Sequence, residues 1–201
     1  MRIESVMVIG CGGLGGFVIE ELARLGIQNL VLVDGDVFAE SNMNRQLESG
    51  LDTLGKNKAL VYKSRLERKG RTHVTAVPEF FSEDNASLLD SVDVVMDCVD
   101  TAKARLFIEK KCEERGKIFV HGGLEGSFGQ ACVCFPGDKT LSKFYANHTE
   151  QPHRTNAFTV ATVASLQVAL LNKLMADETE EIKNKLVLVD LDSFTIDVIK
   201  V

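Results

Sequence analysis

The chain has 201 residues, is 45% hydrophobic and 26% charged, and carries a formal net charge of −6. That length supports one domain with its own core, held without disulfides or metal, and the acidic balance favours solubility and argues against general affinity for nucleic acid. Cys11, Cys98, Cys112, Cys132 and Cys134 form no C-x-x-C pair, so neither a disulfide framework nor a tetrahedral zinc site is suggested, and a reducing, cytoplasmic setting is expected.

Strand-like runs occur at 3–9, 29–33, 73–77, 92–97 and 117–120, with helical spacing in most of the gaps. Leu14, Phe17, Val18, Leu22 and Leu25 share a helical face and Gly26 follows as a stop signal, so the first helix begins inside the glycine cluster "GCGGLGG". A second helix fits 55–69, a third begins after Ser82 as its N-cap, and a fourth runs from about Thr101 to Arg115. This alternation predicts a single α/β domain over 1–201, a Rossmann-like and mainly parallel sheet with helices on both faces. "GQACVCF" and "LVLVDLDSFTIDVIKV" read as further strands, the second a hairpin, which adds antiparallel strands at the C-terminal edge.

Residues 136–156 show no clear period, and a stretch that long inside a compact domain is usually functional or mobile. Residues 155–172 carry no charge, but Thr159, Thr162, Ser165 and Gln167 interrupt them, so a buried helix is expected and no membrane span. Its surplus apolar surface also suits a homodimer. Lys56, Lys58, Lys63, Arg65, Arg68, Lys69 and Arg71 make one basic stretch, read as a solvated helix face with docking of an acidic partner as the alternative.

Gly10, Gly12, Gly13 and Gly15 follow a strand and open a helix, where bare backbone admits phosphates to the helix N–H groups. Asp34, at the end of the next strand, is placed to accept bonds from ribose hydroxyls. These residues alone fit NAD as well as ATP. Downstream, "VDGDVFAESNMNRQ" adds Asp36, Asn42, Arg45 and Gln46, a cluster without a role in hydride transfer. Arg45 and Lys58 supply positive charge for a polyphosphate, and Asp100 lies past the carboxyl end of a predicted strand, where a lone carboxylate suits Mg²⁺.

With these motifs in view, the sequence resembles the ThiF/MoeB/HesA family, bacterial relatives of ubiquitin-activating enzymes. The matching residues are "GCGGLGG", "LVDGDVFAESNMNRQ" with its S-N-x-x-R-Q signature, Lys58, "DCVD", and "VHGGLEGSFGQACVCF". The resemblance implies an ATP-dependent adenylyltransferase of thiamine or molybdopterin type that activates the C-terminal glycine of a small ubiquitin-like sulfur-carrier protein ending in Gly-Gly. It implies that Asp34 and Asp36 hold the ribose and its surroundings, that Asn42, Arg45 and Lys58 contact the triphosphate, and that Asp100 binds Mg²⁺. Arg105 matches a family arginine expected to be structural. Alternatives are a tRNA-modifying dehydratase of the same family and a non-catalytic subunit that binds nucleotide or carrier.

Three departures from the family stand out. The C-x-x-C pairs of many relatives are missing, the 136–156 stretch, where relatives have a crossover loop, contains no cysteine, and the arginine-bearing arm that precedes strand one in dimeric relatives is expected to be lacking. Cys132 and Cys134 are expected on one strand face, and Cys98 and Cys112 in the core. Cys11, near a helix N-terminus, is expected to have a lowered thiol pKa. His121, His148 and His153 are expected to be satisfied or solvated.

Overall fold

The computed structural model describes residues 2–70, 72–145 and 155–201. In chain order its elements are β1 (Ser5–Ile9), α1 (Gly13–Leu25), β2 (Asn29–Val33), α2 (Lys58–Lys69), β3 (His73–Val77), β4 (Val94–Asp97), α3 (Ala102–Glu114), β5 (Ile118–Glu125), β6 (Phe128–Cys134), α4 (Thr140–Tyr145), α5 (Ala157–Met175), β7 (Lys185–Asp190) and β8 (Thr195–Lys200). The strands form one sheet in the order β3-β2-β1-β4-β5-β6-β7-β8. From β3 to β5 every neighbour is parallel, and from β5 to β8 every neighbour is antiparallel.

Strand alternation distributes the core between the two faces of the sheet. Val6 and Val8 of β1 join a cluster with Val18 and Leu22 of α1, Tyr62 and Leu66 of α2, and Val163 and Leu171 of α5. Met7 and Ile9 face the other way, toward Ile108 and Cys112 of α3 and Leu141 of α4. Each fully buried aliphatic side chain contributes about 1.5–3 kcal/mol relative to exposure. Helices therefore cover both faces, as the alternating pattern of the sequence implies. Cys132 and Cys134 share the second face, their sulfurs 3.8 Å apart.

The uncharged stretch forms α5, which is long and apolar enough to cross a membrane by length and composition. In the fold it packs against α1, β5 and β6, and its buried Gln167 donates to the carbonyls of Asp97 and Val120. This is the arrangement of a core helix. The β8 edge is exposed along its whole length, including Ile196 and Val198.

Four expectations need correction. The second helix begins at Lys58, three residues later than its pattern suggested, because the Asn57 side chain caps it by accepting from the Leu60 N–H. The third is a 3₁₀ turn, Glu83–Ser91, rather than an α-helix. There the Asn85 side chain takes the Ser82 N–H and donates to the Phe80 carbonyl, local bonds that compete with a regular helical ladder. The fifth strand runs on to Glu125 because β6 pairs along its full length, so His121 lies inside a strand and not at its end. The aperiodic 136–156 stretch contains α4, too short to show a period. Its first N–H groups are satisfied from another helix, with Glu109 of α3 accepting from the Leu141 and Ser142 amides. His148 and His153 lie outside the described residues.

The turn from β1 into α1 depends on two glycines. Gly10 has φ of 92°, and a Cβ there would lie 2.6 Å from the Cys98 carbonyl oxygen. A Cβ on Gly15 would lie 1.8 Å from the Gly10 oxygen, whereas one on Gly13 would meet nothing nearer than 3.5 Å. Gly15→Ala is expected to lose about 3 kcal/mol or more in urea unfolding, and Gly13→Ala to be neutral or slightly stabilising, alanine being the better helix former.

Candidate functional site

The chain leaves β1 toward β2 on one side and returns through β4 on the other, so the carboxyl ends of β1 and β4 flank the point where strand order reverses. Open α/β sheets bind ligands in such a crevice. A cavity of about 650 Å³ occupies it. Its walls include Gly10, Gly12 and Gly13 from the loop, Asp34 and Asp36 beyond β2, Arg45 and Gln46, Lys58 of α2, Asp100 beyond β4, and Val160 of α5.

Asp34 is buried and staples the loops together. One oxygen accepts the Cys11 N–H at 2.6 Å and the other the Asp36 N–H at 2.7 Å. Burial raises its carboxyl pKa against the opposing pull of those bonds. The Asn57 amide completes the brace, donating to the Asp34 and Asp36 carbonyls at 2.8 and 3.0 Å. Lys58, its side chain 7% exposed, extends Nζ to an Asp36 carboxylate oxygen at 3.0 Å. Arg45 is fixed through Nη1, which donates to the Ser41 carbonyl and the Asn44 side chain.

These groups suit a polyphosphate. No packing contact requires Gly13 to lack a side chain, and it borders the cavity, so its bare backbone leaves room for a ligand. Gln46 is buried in the same wall, its Oε1 without a partner among the described residues and its amide nitrogen beside Gly12, an orphaned polar group that a ligand would satisfy. Asp100 is exposed at the rim. Among the described residues no group of three or more His, Cys, Asp or Glu side chains stands together. A lone carboxylate matches Mg²⁺, which takes one or two carboxylates plus phosphates and waters.

Two sequence-derived assignments do not reach the cavity. Asn42 is absent from its walls, and its side-chain oxygen instead accepts the Ala39 N–H at 3.0 Å, closing a 3₁₀ turn. Gly15 lies behind the loop, where it lets α1 approach β1. Cys11 also corrects its expectation. The thiol is fully buried beside Asp34, and burial followed by that carboxylate raises its pKa well above the usual range despite the helix N-terminus.

Other wall residues were not singled out from the sequence. Phe80 and Phe81 line the end beyond β3, with Phe80 67% exposed. Their one visible signal is an adjacent aromatic pair past the end of a predicted strand. Arg105 is buried as a structural residue would be, bonded to the Val99 carbonyl and the Tyr145 hydroxyl, yet it also borders the cavity.

A model of the ThiF family matches residues 1–201. The chain belongs to the ThiF family. Over 206 residues this ThiF-family chain is 28% identical to the SAMP-activating enzyme E1 of Haloferax volcanii, with 98% of this chain and 76% of that protein covered. It is 37% identical over 123 residues to the tRNA threonylcarbamoyladenosine dehydratase of Haemophilus influenzae, covering 60% of this chain and 47% of the dehydratase. Among solved structures, E. coli MccB with ATP has the same fold, with a TM-score of 0.79 at 22% identity over 98% of this chain and 63% of that one. The ThiF-family chain thus spans less than half of the dehydratase and under two thirds of MccB.

All five cysteines are buried and free, and burial raises the thiol pKa of Cys11, Cys98 and Cys112, the last to about 12. The native protein is therefore expected to resist iodoacetamide at mildly alkaline pH and to take up label at every cysteine only after denaturation, as read by intact mass.

Proposed function

We propose that this ThiF-family chain is an ATP-dependent adenylyltransferase acting on the C-terminal glycine carboxylate of a small ubiquitin-like sulfur-carrier protein. The observation that carries this reading is a single cavity at the strand-order reversal that joins bare glycine backbone, the cations of Arg45 and Lys58, and the lone carboxylate of Asp100. A SAMP-activating enzyme among its relatives supports a protein carrier as the acyl donor.

The reaction joins a carboxylate oxygen to the α-phosphorus of ATP and breaks the bond to the β-phosphate bridge, releasing pyrophosphate. A glycine carboxylate is already ionised at neutral pH, so no general base is required. Catalysis then rests on placement and on charge. The glycine loop and the N-terminal amides of α1 receive the phosphates, while Arg45 and Lys58 offset the charge on the departing pyrophosphate. Asp36 fixes Lys58 at the wall, and Asp34 ties the glycine loop to the Asp36 turn. Asp100 would hold Mg²⁺, which when bound neutralises phosphate charge.

The second reading, activation of a modified tRNA, is favoured by the identity with the dehydratase. The basic stretch gives it little help. Lys63 pairs with Glu67, Arg65 with Glu48 and Lys69 with Glu20, while Lys58 turns to the cavity. Much of its charge is thus matched by the chain's own carboxylates, which favours the carrier.

Calorimetric titration tests the nucleotide assignment. Mg-ATP is expected to bind and NAD not to, and Arg45→Ala and Asp100→Ala are each expected to weaken Mg-ATP by about tenfold or more, the loss of one charge-assisted contact. Binding of NAD in preference to ATP, or ATP affinity indifferent to both substitutions, would refute the proposal.

A further inference from the structure

Beside the cavity lies a buried polar network that the phosphate chemistry does not use. Asp97 ends β4, and His121 pairs with it in register on β5. Both are fully buried, with His121 Nδ1 2.6 Å from Asp97 Oδ2. Burial lowers the His121 pKa, favouring the neutral ring, whose one N–H points to the carboxylate and leaves Nε2 to accept.

The group facing Nε2 is the hydroxyl of Tyr145, the last residue of α4, at 3.2 Å. The same oxygen accepts from Arg105 Nη1 at 3.0 Å and from Gln130 Nε2 of β6 at 2.7 Å. Its single donor and both lone pairs are therefore engaged. From there the network reaches the site. Arg105 Nη2 donates to the Val99 carbonyl at 3.0 Å, and the Val99 N–H donates to Asp97 Oδ1 at 3.1 Å. Both backbone groups of Val99, the residue before Asp100, are thus held by the cluster.

We propose that Tyr145 and His121 are positioning residues that set the Asp100 carboxylate by clamping the Val99 peptide through Arg105 and Asp97. This rests on the reading of the cavity as an Mg-ATP site with Asp100 as the metal ligand. The exposed Asp100 carboxylate lines the cavity, and the clamp fixes the backbone that carries it. Loss of the Tyr145 hydroxyl takes one partner from each of Arg105 Nη1, Gln130 Nε2 and His121 Nε2, the last two keeping their 3.4 Å contact with each other, while ring volume and the glycine loop are unchanged.

The experiment is calorimetric titration of the full chain and of Tyr145→Phe with ATP, once in Mg²⁺ and once in EDTA. Tyr145→Phe is expected to bind ATP in Mg²⁺ about tenfold more weakly than the unaltered chain, the scale of a lost supporting contact to a metal ligand, and to bind ATP in EDTA equally well. Equal affinity in Mg²⁺, or equal losses under both conditions, overturns the inference, the latter because it reports general disruption. Should Tyr145→Phe unfold, His121→Asn carries the same expectation, since it removes the ring nitrogen that links Asp97 to the tyrosine hydroxyl. If the unaltered chain binds no ATP, the nucleotide-site reading itself fails; if it binds ATP equally with and without Mg²⁺, only the metal role of Asp100 fails. Either result removes this inference, and the two are distinguishable.

Discussion

α1 can rise from the tip of β1 only because no side chain stands at Gly10 or Gly15. A Cβ at Gly15 would lie 1.8 Å from the Gly10 carbonyl oxygen, a distance that only displacement of the backbone could relieve. That approach brings the helix N-terminus and its free amides to the carboxyl ends of β1 and β4. Asp34 then ties the next loop to the same place by accepting from Cys11 and Asp36. The cavity is thus a consequence of backbone packing, and its cations are brought to a frame already set.

The electrostatics follow from that frame. Asp34 is buried, and its oxygens accept main-chain N–H groups, so it acts first as a structural brace. Asp36 sits further out, shares its charge with Lys58 and leaves that lysine directed at the cavity wall. Asp100 is exposed while the peptide before it is fixed, a combination suited to a carboxylate that must meet a hydrated cation without being buried with it. The same cavity has an aromatic end at Phe80 and Phe81, which gives an amphipathic ligand apolar surface beyond its charged half.

Much of this was legible in the chain. The runs at 29–33 and 73–77 match β2 and β3, because short β-branched and aliphatic runs bounded by turns mark strands. The glycine cluster located the start of α1, and Arg45, Lys58 and Asp100 do line one cavity. What stayed hidden depends on contacts distant in sequence. Nothing local distinguishes Gly15, which packs against a strand, from Gly13, which faces the cavity. Asn42 reads as a ligand by its neighbours, yet its side chain is taken by the Ala39 amide three residues back. α4 leaves no periodic trace in six residues and exists because Glu109 of α3 satisfies its first turn. The Cys11 expectation weighed the helix N-terminus without the burial of the thiol or the Asp34 beside it, and desolvation followed by the neighbouring carboxylate reverses the sign.

The proposed reaction joins a carrier carboxylate to the α-phosphate of ATP in this cavity. The most direct measurement is exchange of labelled pyrophosphate into ATP by the purified chain, run separately with a small ubiquitin-like carrier ending in Gly-Gly and with threonylcarbamoyladenosine-modified tRNA. Exchange is expected to require the carrier and to stop when its terminal glycine is removed. Exchange supported by the tRNA and not by the carrier, or by neither, would contradict the proposal.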